Sequence, residues 1–115
     1  MEKHREIVNM TYFTKGEKID IDDSLNKIVY LEVDSPLNYG VRTWDYYGRI
    51  VKITKCYFWI IEYCDGFLKR WRTDQIQKSE EKQLAKKWHK KSIQKLYEVK
   101  TEETNEEIEY EKSSY

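Results

Sequence analysis

The chain is short of the residues that build covalent or metal-held frameworks. Its two cysteines, Cys56 and Cys64, cannot make a disulfide scaffold or a zinc cluster. Both lie in or beside an apolar run, where they read as structural thiols. The two histidines, His4 and His89, have no cysteine or carboxylate at ligand or relay spacing. The four glycines form no phosphate-cradling loop, and there is no HExxH. These absences argue against an enzyme, and neither cofactor nor metal is expected. With a mean hydropathy of −0.92 and 39% hydrophobic residues, no run is long and oily enough to span a membrane, so no membrane partner is expected. MEKHREIVNM has no apolar stretch of the kind that opens a secretory signal. An intracellular address is expected, with the nucleus ahead of the cytoplasm.

What the chain has in plenty is aromatic rings and charge. Four Trp, ten Tyr and three Phe make up 15% of 115 residues, far more than a disordered solvating chain carries. Lys+Arg and Asp+Glu balance at 21 each, but unevenly along the chain: the net charge is −3 over 1–47, +7 over 48–98 and −4 over 99–115. A polyanion would meet the middle segment, while the Glu-rich end (99–115) reads as a disordered, solvated acidic tail.

GRIVKITK (48–55) and YFWIIEYC (57–64) are β-branched and aromatic runs, and KIVYLEV (27–33) alternates as a strand does. Asp65-Gly66 is a strong turn signal, predicting that FLKRWR (67–72) returns antiparallel to 57–64 as a meander. Pro36, Asn38 and Gly40 mark a loop. KGEKIDI (15–21) is a weak strand candidate, so 1–26 is treated as an extension that contributes one strand at most. Ser79-Glu80-Glu81 reads as a helix cap with acids in the first turn, predicting an amphipathic basic helix over about 80–97, within a 78–98 segment. Leu84, Ala85, Trp88, Ile93 and Leu96 would form its apolar half, and Lys86, Lys87, Lys90, Lys91 and Lys95 its solvated half. The expected fold is mainly β: a small barrel over 27–77, one C-terminal helix and the tail.

The pattern YYGRIVKI…WIIEYCDGFLKRW…DQI, over about 39–77, resembles the Tudor-like, SH3-like barrels of the chromatin Royal group. The resemblance implies a non-enzymatic reader of methylated lysine or arginine on a histone-like or other basic tail. In such readers an aromatic cage forms at the barrel rim. The matching positions here are Tyr39 or Trp44 in the first loop, Tyr46 two residues before Gly48, Tyr63 opening the turn, Asp65 as hydrogen-bond acceptor, and Phe67 after it. A methylated ammonium is drawn to ring faces, each contact contributing about 0.5–2 kcal/mol. The mid-strand rings Tyr57, Phe58, Trp59 and Trp71 read instead as packing groups. A second reading uses the positive charge: Arg49, Lys52, Lys69, Arg70 and Arg72 would neutralise the phosphates of DNA or RNA, as integrase-type SH3-like barrels do. A third is a peptide-binding module with a flat aromatic groove.

Overall fold

The computed structural model describes residues 2–37, 40–65 and 70–112. Its strands are β1 (Glu2–Lys18), β2 (Ile28–Leu37), β3 (Gly40–Ile53), β4 (Tyr57–Asp65), β5 (Arg70–Arg72), β6 (Lys86–His89) and β7 (Ile93–Lys112), with one helix, α1 (Thr73–Lys82), after β5. They form a single antiparallel sheet in the order β5-β1-β7-β2-β3-β4-β6. The expectation of a mainly-β chain with one helix therefore holds, and no helix among the described residues is long and apolar enough to cross a membrane.

The alternation of KIVYLEV explains how two cores share one sheet. Val29, Leu31 and Val33 point to one face, where they pack with Ile50, Phe58, Ile60 and Leu96. Tyr30 points to the other, joining Phe13, Tyr47, Tyr63, Cys64, Val99 and Ile76 of α1. On this second face the sheet curls into a half-barrel. Flat strands at about 4.8 Å spacing would put β1 roughly 19 Å from β4, four places along. Yet the ring of Phe13 lies 5.5 Å from that of Tyr47 and 6.3 Å from that of Tyr63, centroid to centroid. Register shifts at Tyr47/Gly48 and Ile50/Lys52 supply part of the bend. At Gly48, expected at a bend, a Cβ would fall 2.3 Å from the carbonyl oxygen of Ile61.

Several expectations need correction. Residues 70–72 do not return along β4; they pair with Met10–Tyr12 of β1, because the free edge of β4 is taken by β6. Gly66 to Lys69 lie outside the described residues. The loop expected at Pro36 is a hairpin end, with Pro36 opposite Val41. The helix expected over 80–97 lies over Thr73–Lys82. Ser79 does not cap it but sits inside it, its hydroxyl donating to the Gln75 carbonyl four residues back at 3.0 Å. Beyond Gln83 the chain is extended because β4, apolar on both faces, would otherwise present an open edge; Phe58 pairs with Trp88 there. Residues 1–26 contribute one strand, longer than the expected 15–21, and 99–112 form no solvated tail: β1 and β7 pair from Glu2↔Lys112 to Lys18↔Tyr97. Charge supports that pairing, with Lys3 and Arg5 reaching Glu109 at 3.5 and 3.7 Å, and Arg70 of β5 reaches across β1 to Glu106 at 2.6 Å.

The buried phenols make the fold sensitive to alkali. Tyr30, Tyr47 and Tyr63 are all raised above the ordinary tyrosine value near 10 by burial. Hydrogen bonds to carboxylates add to this for Tyr30, which donates to Glu32 at 3.1 Å, and for Tyr63, which donates to Glu80. Above pH 10 or so the unfolded chain sheds protons that the folded chain keeps. Stability is therefore full below that pH and falls as pH rises toward the folded values. A urea midpoint series should be level with respect to these groups from pH 8 to 9.5 and decline above about 10. A flat profile to pH 11.5 would show that the phenols are not held as described.

Candidate ligand-binding face

The five cage positions do not assemble from their described members. Tyr46 belongs to the aliphatic core and Tyr63 to the tyrosine-rich one, on opposite faces of the sheet, and both are buried. A cation does sit on the Tyr46 ring, but it is the chain's own: Lys86 Nζ is 4.9 Å from the centroid, and the Trp88 ring packs at 6.1 Å. The phenol of Tyr63 is committed to Glu80 of α1. Trp44 is exposed on β3, and Asp65 is in register with Tyr46. Tyr39 and Phe67 lie outside the described residues.

The five basic positions are also dispersed. Arg49 pairs with Glu80 at 2.9 Å, Arg70 with Glu106 at 2.6 Å and Arg72 with Asp74 at 3.2 Å. Arg70 and Arg72 sit on β5, at the opposite edge of the sheet from β4 and β6. Lys69 lies outside the described residues. Lys52 alone has no carboxylate partner among the described residues, and its Nζ lies 4.6 Å from the Trp59 ring centroid.

That contact marks a place where rings and cations do converge. Along β4, Phe58 and Ile60 point into the aliphatic core and are wholly buried, so Tyr57, Trp59, Ile61 and Tyr63 point the other way. The helix covers the Ile61–Tyr63 half of that face through Ile76 and the Arg49–Glu80–Tyr63 contacts. It leaves the Tyr57–Trp59 half open, with Tyr57 38% exposed. Lys87, opposite Trp59 on β6, places its Nζ 4.2 Å from the Tyr57 centroid and 5.5 Å from that of Trp59. His89, opposite Tyr57, meets its ring edge-on at 5.0 Å. Lys55 and Cys56 are exposed at the adjoining turn, which Thr54 closes by donating its N–H to the Tyr57 carbonyl at 2.8 Å. The patch is thus Lys52, Tyr57, Trp59, Lys87 and His89, flanked by Lys55.

No family model, curated protein or solved structure matches this chain. Among the described residues no three of His, Cys, Asp and Glu converge as a metal site. Sequence reasoning took Tyr57 and Trp59 for packing groups; it expected Lys87 at the surface but on a helix, and gave His89 no role, whereas both lie on a strand beside the two rings. The missed signal is the unbroken apolar run YFWI: side chains alternate between faces along a strand, so Tyr57 and Trp59 are buried along with Phe58 and Ile60 only if both faces are covered.

Proposed function

We propose that this protein is a non-catalytic binding module that holds single-stranded nucleic acid on the open end of β3, β4 and β6. The observation that carries the reading is two rings at alternate positions of one strand, Tyr57 and Trp59, interleaved with ammonium groups that have no carboxylate partner among the described residues, Lys52 and Lys87. Alternate strand residues lie about 7 Å apart. Successive stacked nucleotides advance by about 3.4 Å, so the two rings engage bases of a stretched, unpaired strand rather than of a duplex. Magnitudes favour the exchange. An exposed lysine–ring contact contributes about 0.5–1 kcal/mol, whereas stacking a base on a ring contributes about 1–3 kcal/mol. A base therefore displaces the lysine, and the freed ammonium turns to the adjacent phosphate. The SH3-like reading belongs with this function, supported by the curl of the sheet and the bulge at Gly48, with β1 and β7 completing what 27–77 begins.

The test is titration with short single-stranded DNA and with its duplex. Single strands should bind better, and Tyr57→Ala or Trp59→Ala should each weaken them by about 5- to 150-fold, the equivalent of one stack removed. Tyr57→Ala is the cleaner variant because the ring is exposed. Replacing Lys52 and Lys87 by Ala should flatten the slope of log affinity against log salt by about 0.7 for each phosphate no longer neutralised. Equal affinity for duplex, or indifference to both ring substitutions, sinks the reading.

A further inference from the structure

β1 and β7 run together beyond β2, β3, β4 and β6, with β5 on the far side of β1, and this ribbon has an edge on β7 that no described strand covers. β2 pairs with β7 only as far as Glu98, so the outer edge of Val99–Lys112 is open along its whole length. Such an edge is a row of unpaired N–H and C=O groups that accepts another strand. It contains no proline or glycine, and its pairing with β1 from Glu2 to Lys15 shows no register shift. Nothing in its backbone discourages addition, and its charge decides what can be added.

A second copy of the same strand is disfavoured. Two antiparallel edges related by a two-fold axis must present the same face on the same side, so residue i can only meet a residue of the same parity. In every such register centred from Glu102 to Glu111, at least one glutamate falls directly opposite another. Glu106 and Glu109 are already matched by Arg70 and by Lys3 and Arg5. Glu102 and Glu103 are exposed, on opposite faces, and have no ion-pair partner among the described residues. Consecutive residues of an incoming strand also point to opposite faces.

We infer that the β7 edge accepts an extended basic peptide as an added strand, with a pair of adjacent Lys or Arg residues set against Glu102 and Glu103. Backbone hydrogen bonds hold the peptide, and the basic pair selects it. This surface is distinct from the Tyr57–Trp59 face, so either can fail without the other.

A peptide of Lys-Lys pairs spaced by Val and Thr serves as the probe, alongside a twin of identical charge whose alternate backbone nitrogens are methylated. Binding of the first should slow hydrogen exchange at the amides of 99–112, and the methylated twin should not. Charge reversal at the two exposed positions, Glu102→Lys with Glu103→Lys, should weaken binding by about 2- to 30-fold, the equivalent of two exposed ion pairs. Equal binding of the twin reduces the effect to charge attraction and overturns strand addition. Unchanged exchange at 99–112, or a chain that sediments as a dimer through this edge without peptide, overturns it as well.

Discussion

Phe13→Ala should lower the unfolding free energy by about 3–5 kcal/mol, near the upper end for a single substitution in a small domain. Phe13 is 2% exposed and stands where the curl closes, its ring against Tyr47 of β3 and Tyr63 of β4. Its neighbours come from strands on both sides of the bend and are held by their own ladders, so they cannot collapse into the space it leaves. The effect combines transfer free energy, a residual cavity and two ring contacts. Urea denaturation checks the size. A change below about 1 kcal/mol would mean that the two halves of the sheet are not joined through this ring.

Gly48→Ala should be the most damaging change that adds a single carbon. The new methyl would lie 2.3 Å from the Ile61 carbonyl oxygen and 2.9 Å from Ile60 Cγ1. The first of these is backbone and cannot rotate away, so β3 and β4 must separate at the bulge. Overpacking of this kind costs about 1–3 kcal/mol, with Tm falling by about 4 °C for each kcal/mol of destabilisation in a chain of this length. Calorimetry of the variant reads this directly; a Tm within 2 °C of the parent would contradict the close approach.

How much of this is legible in the sequence depends on the range over which each signal acts. The alternation of 27–33 and the run 57–64 identify strands because side-chain period and burial are local properties, and Gly48 marks its bend for the same reason. The helix expected over 80–97 also has a local origin: Leu84, Trp88 and Leu96 fit a helical wheel, but pairing of 86–89 with β4 overrides that pattern. The acidic segment reads as solvated because its partners are distant. Glu109 looks free in water until Arg5, more than a hundred residues earlier, is brought alongside. The expected cage set Tyr46 beside Tyr63, but which face a strand residue takes depends on pairing and on the bulge at Gly48: Tyr47 shares the face of Tyr63, and Tyr46, its neighbour in sequence, points the other way.

Insertion of β7 between β1 and β2 also bears on how the chain is made. As it leaves the ribosome, β1 has no neighbour in its final place except the three residues of β5, and β2 has one side bare. The hairpins from 28 to 65 can form early, but the N-terminal strand must wait for residues 97 to 112, the last of which pairs with Glu2. Closing so long a loop late gives slow folding and leaves Val8, Met10 and Phe13 of β1, buried in the finished fold, uncovered in the nascent chain, an interval in which chaperone capture competes with completion of the sheet.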